Sequence, residues 1–185
     1  MRNVVFGINI SVDGYCDHDN PAFNPSDEII DYFTQLLQDA DQIVYGRKTY
    51  ELMVPYWPDV ARDQSGTKAE NEFAQTLTAI NKIVVSKTLD RVNGNTRILR
   101  ENPADEIGKL KQQPGKKISI GGVDLPAQLI SLGLVDEFYF VIHPVIIGKG
   151  RRLFETANIA EAQNLKLVDT KIFNSGAIGL HYLKQ

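Results

Sequence analysis

The sequence has little of several features that mark particular classes of protein. Its one cysteine, Cys16, has no partner for an internal disulfide, which favours a reducing compartment. No apolar run is long enough to span a membrane, and the first residues do not form a secretory signal. Cationic residues are not in excess, because 20 Lys and Arg stand against 23 Asp and Glu. We therefore expect a cytoplasmic protein that binds neither membranes nor nucleic acid.

Two glycine-rich phosphate-binding motifs are also missing. No predicted strand is followed by Gly-x-Gly-x-x-Gly, and the segment 148–150 (GKG) lacks the upstream glycine and the Ser or Thr of a P-loop. The segment 17–19 (DHD) has metal-ligating side chains, but no second cluster completes a site, so we predict no metal. A standard Rossmann domain and a P-loop nucleotidase are therefore disfavoured.

Patterns typical of strands and helices alternate over the first three quarters of the chain, and strands alone follow. Apolar and β-branched runs predict strands at 2–10, 42–45, 82–86, 96–99, 117–121, 136–147 (broken by Pro144), 164–173 and 176–183. Helical spacing and capping signals predict helices at 26–40, 46–53, 67–79, 102–114 and 122–132. This order predicts one α/β domain over residues 1–185, with a mainly parallel sheet and an antiparallel C-terminal edge and hairpin.

Three of the predicted strands end in glycine or polar residues. The segments that follow them are Gly46-Arg47-Lys48-Thr49, Ser86-Lys87-Thr88 and Gly121-Gly122. Because parallel strands end at the same edge of a sheet, these segments are expected to meet there, where ligands of open α/β sheets bind. Each segment alone could be a turn or a solvated surface. Together they favour a site for a phosphate-bearing cofactor, with the Arg47 fork on one phosphate.

The motifs of this chain resemble those of a known superfamily. The sequence is similar to the dihydrofolate reductase superfamily, and within it to the C-terminal reductase domain of bifunctional riboflavin-biosynthesis enzymes. The resemblance rests on four segments: 11–14 (SVDG), 43–50 (IVYGRKTY), 82–89 (KIVVSKTL) and 121–150, which opens with Gly-Gly and ends in PVIIGKG. It implies a three-layer dihydrofolate reductase-like fold and the transfer of a hydride from NADPH to a small heterocycle of pteridine or aminopyrimidine type.

The resemblance also implies which residues hold the cofactor. NADPH is implied over NADH because cations cluster where the 2′-phosphate would sit. The implied cofactor-binding residues are Gly46, Arg47, Lys48, Thr49, Ser86, Lys87, Thr88, Gly121, Gly122, Val123 and Leu125.

The substrate positions depart from the patterns of both relatives. Tyr15 stands where the riboflavin-pathway reductases usually carry Lys, and Ile120 stands where they carry an acidic residue. Ile29 is the nearest equivalent of the carboxylate that dihydrofolate reductases place on their first helix. We take Tyr15, Ile29, Tyr50, Trp57 and Ile120 as candidate substrate contacts. The alternative for the aromatic residues is packing in the core or a loop.

Two functional questions stay open at the level of sequence. Asp13 is the best candidate for a catalytic acid because it follows the first strand, but it could equally be a turn residue bonded to its own backbone. The chain could also be a non-catalytic nucleotide- or flavin-binding module, or a structural protein in which the glycines only form turns. The apolar strand 136–147 and the C-terminal hairpin predict a homodimer.

Overall fold

A computed structural model describes residues 1–17, 20–23, 25–155 and 157–185. Within these residues eight strands form one sheet in the order β4-β3-β2-β5-β1-β6-β8-β7. The strands are β1 Val4–Ser11, β2 Ala40–Gly46, β3 Asn81–Val85, β4 Thr96–Leu99, β5 Lys117–Gly121, β6 Glu137–His143, β7 Leu165–Ile172 and β8 Ile178–Lys184.

The helices of the described residues lie between these strands. They are α1 Asp27–Gln38, α2 Arg47–Met53, α3 Trp57–Asp63, α4 Lys68–Ala79, α5 Pro103–Gln112 and α6 Asp124–Ser131. Local sequence sets several helix starts: the side chains of Thr67 and Glu70 form a reciprocal capping box at α4, and Pro103 occupies the first turn of α5. No helix among the described residues is both long and apolar enough to cross a bilayer.

The strand directions confirm the predicted fold class. Strands β1 to β6 are parallel to one another, whereas β8 is antiparallel to both β6 and β7. The β7–β8 hairpin turns at 173–177, where Gly176 has a φ of +81° that suits a residue without a Cβ. The antiparallel edge at the C-terminus is therefore confirmed.

Helices cover both faces of the sheet. On one face, apolar residues of α5 and α6, such as Ile107 and Leu129, pack with β1 and β5 in the largest core cluster. On the other face, Leu37 of α1 and Leu77 of α4 pack with β2 and β3. The result is a three-layer arrangement, as expected.

Prolines set two element boundaries. The strand predicted over 136–147, with a break at Pro144, ends at His143, because Pro144 cannot donate to the sheet and the following residues bond to the 11–14 turn instead. No helix was predicted between 53 and 67, and this was wrong: Pro58 lies in the first turn of the separate helix α3, a position where proline's missing N–H costs nothing.

Candidate functional site

Four neighbouring parallel strands end level at one edge of the sheet, which we call the carboxyl edge. Tyr45 of β2 pairs with Gly121 of β5, and Gly46 pairs with Val85 of β3. Val85 in turn pairs with Leu99 at the end of β4. The three strand ends singled out in the sequence are therefore adjacent, and a fourth, that of β4, lies beside them.

The Gly121-Gly122 turn lies against the end of β2 and the start of α2 so closely that neither glycine can carry a Cβ. A Cβ on Gly121 would run into the ring of Tyr45, and one on Gly122 would run into the hydroxyl of Thr49. Gly122 also has a φ of +100°, a conformation that other residues rarely adopt. The glycine pair thus brings the first turn of α6 up to the first turn of α2.

The Ser86 side chain builds the turn after β3. Its hydroxyl accepts hydrogen bonds from the backbone N–H groups of Thr88 at 3.2 Å and Leu89 at 3.0 Å, and Ser86 itself is buried. Lys87 and Thr88 are exposed beyond it. Ser86 therefore shapes this part of the edge, and its two exposed neighbours are the side chains offered to solvent.

Several cations lie along the carboxyl edge with different surroundings. Arg47 forms an ion pair with Glu51, one turn further along α2, at 3.3 Å. Lys48 and Lys87 are exposed. Arg100, which the sequence reasoning missed, donates to the Ser86 carbonyl at 3.1 Å and makes no other hydrogen bond or ion pair to the described residues. The rule that polar residues follow strand ends would have found Arg100, had it been applied to β4.

Asp13 anchors a distant loop. Its carboxylate accepts hydrogen bonds from the Ser11 hydroxyl at 2.6 Å and from the backbone N–H groups of Ile147 at 3.1 Å and Gly148 at 2.8 Å. The Ser11 hydrogen bond is the main reason that the pKa of Asp13 is lowered to about 2. The side chain is ionised at neutral pH, so it has no proton to give, and the structure favours a turn role over that of a catalytic acid.

The predicted substrate residues do not converge on one open pocket. Ile29 and Ile120 are each 1% exposed and belong to separate core clusters, so neither presents surface to a ligand here, contrary to expectation. Tyr15 lies under the Arg152 guanidinium, 5.1 Å from its ring centroid. Tyr50 is buried in the core cluster that Leu37 and Leu77 form with β2 and β3, and Trp57 packs edge-on against Phe73 of the same cluster.

Strand β1 runs beyond the end of β5 and leaves a step in the carboxyl edge. Its last pairing with β5 is at Phe6, whereas its pairing with β6 continues to Ser11 and His143. The His143 ring nitrogen Nε2 lies 2.9 Å from Oδ1 of Asn9, and burial lowers the pKa of His143. The residues of β1 after Phe6 therefore have no pairing partner on β5. The polar pair of Asn9 and His143 belongs to this stretch, where β1 pairs only with β6.

Two cavities formed by the described residues lie away from this edge. One of about 260 Å³ lies between α1 and α4, and a more open one of about 650 Å³ lies along α4 beside the ends of α1 and α3. None of the predicted site residues lines either one. No group of three His, Cys, Asp or Glu side chains within the described ranges could hold a metal ion. His18 and Asp19 of the 17–19 segment lie outside the described residues.

Comparison with known proteins identifies relatives along nearly the whole chain. The family model of the RibD C-terminal domain matches residues 2–178. The uncharacterized protein YyaP of Bacillus subtilis is 33% identical over 184 residues, which cover 98% of this chain and 95% of YyaP.

Solved structures share the fold at lower identity. A pyrimidine reductase-like protein from Corynebacterium diphtheriae has a TM-score of 0.66 at 19% identity, and the match covers 100% of this chain and 92% of that one. A dihydrofolate reductase from Enterococcus faecalis, solved in complex with NADP(H), has a TM-score of 0.65 at 11% identity over 99% of this chain and 96% of that one.

Strand order, layer arrangement and these structural likenesses define an α/β protein with the fold of dihydrofolate reductase. Within that class, the chain belongs to the RibD C-terminal domain family. The resemblance read from the sequence motifs is thereby confirmed.

Proposed function

We propose that the protein is an NADPH-dependent reductase that transfers a hydride to a small heterocycle of pteridine or aminopyrimidine type. The observation that carries the proposal is the level ending of β5, β2, β3 and β4, which gathers a glycine turn and four cations at one edge. The NADP(H) bound to a dihydrofolate reductase of the same fold supports the choice of cofactor. The family membership supports a reductase.

The residues at the carboxyl edge fit a dinucleotide phosphate. The Thr49 hydroxyl takes the place that a Cβ of Gly122 would fill, so the glycine lets α2 and the turn come together at this edge. In this proposal the turn and the start of α6 hold the pyrophosphate, through Gly121, Gly122, Val123 and Leu125 together with Gly46 and Thr49. The 2′-phosphate and its ribose are held at the ends of β2, β3 and β4, by Arg47, Lys48, Ser86, Lys87, Thr88 and Arg100.

The step beside β1 is the place we assign to the reacting rings. When bound there, NADPH would supply a hydride, which carries the electron pair, and the protein would contribute position and exclusion of water. Tyr15, Tyr50 and Trp57 remain candidates for contact with the substrate ring after rearrangement of the side chains. Asp13 is not given the role of proton donor, because its ionised carboxylate already accepts three hydrogen bonds.

The proposal is tested by titrating the protein with NADPH in a calorimeter and then following the absorbance of the reduced nicotinamide with a panel of pterins and aminopyrimidines. We expect binding, and oxidation with at least one compound. Absence of NADPH binding would contradict the proposal. Arg100→Ala should weaken the binding of NADPH. Its matched control, Arg62→Ala, should not, because Arg62 is exposed on α3 and paired with its neighbours Asp59 and Asp63.

A non-catalytic nucleotide- or flavin-binding module is the second candidate. The observation that favours it is the burial of Ile29 and Ile120 at two positions expected to contact substrate, together with the ionised state of Asp13. The same assay separates the two candidates. A cofactor that binds tightly but is not oxidised with any compound of the panel would favour the binding module.

We also propose that the protein is a homodimer and that a row of isoleucines on the sheet forms its interface. Register places Ile10, Ile142, Ile178 and Ile172 side by side across β1, β6, β8 and β7. Exposure reaches 41% at Ile178 and 80% at Ile172.

A cytoplasmic location completes the proposal. It is supported by Cys16, a buried free thiol in a chain without another cysteine.

A further inference from the structure

Arg151 belongs to a loop whose backbone is fixed against the turn that follows β1. Its carbonyl accepts a hydrogen bond from the N–H of Cys16 at 2.9 Å, and its own N–H donates to the Asp17 carboxylate at 2.6 Å. Two residues on, the N–H of Leu153 donates to the carbonyl of Gly14 at 2.9 Å. The starting point of the Arg151 side chain is thus held in one place.

From that point the Arg151 side chain reaches the carboxyl edge. Both of its terminal nitrogens contact the carboxylate of Asp124, with a distance of 3.1 Å from Nη1 to Oδ2. Asp124 is the first residue of α6 and comes two residues after Gly122. A guanidinium from a loop 27 residues further along the chain therefore lies next to the glycine turn.

The pair combines two groups of opposite sign at the place proposed for a pyrophosphate. A carboxylate there repels a phosphate, whereas a guanidinium attracts it and offers a fork that fits either anion. Half of the Asp124 side chain and 28% of the Arg151 side chain are exposed, so the pair can open to solvent.

We propose that Arg151 is a further cofactor-binding residue, which pairs with Asp124 in the free protein and transfers its fork to the cofactor pyrophosphate when the dinucleotide binds. This inference rests on the proposed function. It assigns Asp124 the part of a competitor: its carboxylate holds the fork in place and must give it up when a phosphate arrives.

A purely structural ion pair makes a different prediction. If the pair only fastened the loop to α6, removal of either partner would break the same contact and weaken NADPH binding to a similar extent. If Arg151 binds the cofactor, removal of the two partners has opposite effects. Loss of the guanidinium removes an attraction, and loss of the carboxylate removes both a repulsion and a competitor.

The test is a calorimetric titration of NADPH into four proteins: the wild type, Arg151→Met, Asp124→Asn and the double variant. We expect Arg151→Met to raise Kd about tenfold and Asp124→Asn to lower it about threefold, the scale of one charge-assisted contact and of a surface charge. The double variant should resemble Arg151→Met, because Asp124 acts on the cofactor mainly through the availability of Arg151.

Lys149→Met is the matched control, since Lys149 is an exposed cation in the same loop. It should change Kd less than twofold, and thermal unfolding of each variant verifies that it is folded. Arg151→Lys keeps the charge and loses the fork, so it should give an intermediate Kd. It replaces Arg151→Met in the comparison if Arg151→Met does not fold.

Equal weakening by Arg151→Met and Asp124→Asn overturns the inference while the proposed function stands. A wild-type protein that does not bind NADPH contradicts the proposed function itself, so the two failures are distinguishable.

Discussion

The carbonyl oxygen of Ser86 accepts a hydrogen bond from Nη1 of Arg100 at 3.1 Å. This contact ties the residue after β3 to the residue after β4 and points a guanidinium along the carboxyl edge. Arg47, at the end of β2, is instead paired with Glu51 on its own helix. Two arginines therefore lie on the same edge, one opposed by a carboxylate and the other held by a neutral carbonyl.

This difference predicts that Arg100 contributes more than Arg47 to the choice of NADPH over NADH. Arg100→Ala should raise the Kd of NADPH about tenfold and leave that of NADH within a factor of two, because only NADPH carries the 2′-phosphate. Arg47→Ala should have a smaller effect on NADPH, since Glu51 already offsets its charge. Isothermal titration with both cofactors measures the four constants.

Arg97→Ala is the control for this comparison, because Arg97 lies on β4, three residues before Arg100, but is paired with Glu106 of α5. An Arg100→Ala variant that weakens both cofactors equally would show that Arg100 acts on the common part of the dinucleotide, contrary to the prediction.

The burial of Lys82 predicts that the stability of the protein depends on pH in a specific way. It is buried at the start of β3, where its ammonium donates to the carbonyl oxygens of Thr78 at 3.2 Å and Ile80 at 2.8 Å. Burial lowers the pKa of Lys82 to about 8, from 10.5. Between these two values the unfolded chain binds the proton and the folded chain does not, so the Lys82 contribution to the free energy of unfolding should rise with pH, by up to roughly 3 kcal/mol.

The measurement compares the wild type with Lys82→Met by urea unfolding at several pH values from 7 to 11. Subtracting the free energy of unfolding of Lys82→Met from that of the wild type cancels the titration of the tyrosines. This difference in free energy should change only between about pH 8 and pH 10.5. A difference that stays constant over this range would mean that the folded-state pKa of Lys82 is close to its ordinary value.

Much of the architecture was accessible from the sequence because it depends on local patterns. Apolar runs such as 82–86 mark buried strands, and the Thr67 and Glu70 capping box marks the start of α4. The predicted gathering of three strand ends follows from parallel pairing, which the register confirms.

What the sequence could not supply depends on contacts between distant residues. The state of Asp13 depends on N–H groups of Ile147 and Gly148, which lie 134 and 135 residues away. The pairing of Arg151 with Asp124 has no local signal either. The burial of Ile29 and Ile120 follows from the packing of the layers, so an apolar residue at a family site position cannot be distinguished from a core residue by sequence alone.

The isoleucine row predicts that assembly depends on the outer strands. Ile172→Glu should convert a dimer into a monomer, because it places one charge from each copy in an apolar contact. Its effect on the stability of the monomer should be small, since Ile172 is 80% exposed. Light scattering coupled to size-exclusion chromatography gives the mass of the particle.

Leu132→Glu is the matched control for assembly, because Leu132 is 62% exposed at the end of α6 and lies outside the row. It should leave the mass unchanged. A wild-type protein that elutes at the mass of one chain at all concentrations tested would refute the dimer.

A Cβ at Gly122 has two separate costs in stability, one from the positive φ of the backbone and one from contact with Thr49, and variants can distinguish them. Gly122→Ala introduces a Cβ at a positive φ and against the Thr49 hydroxyl, whereas Gly94→Ala introduces one at a φ of +61° with open space around it. The conformational cost should be about 1–2 kcal/mol in both. Gly122→Ala should cost an additional 1–3 kcal/mol, the range typical of overpacking. Urea unfolding of both variants gives the two values.

Thr49→Ala provides the second arm of this experiment. It removes the hydroxyl that meets the new Cβ and leaves the Thr49 Cβ itself 3.4 Å away, which is ordinary contact. In the double variant Gly122→Ala, Thr49→Ala, the loss of stability from overpacking should therefore disappear, and the loss from the positive φ should remain. The double variant should then be less stable than Thr49→Ala by about as much as Gly94→Ala is less stable than the wild type. Strictly additive losses would show that α2 and the glycine turn are not in contact. A recovered double variant would show that Gly122 is required because α2 lies against the turn, the arrangement on which the proposed pyrophosphate site depends.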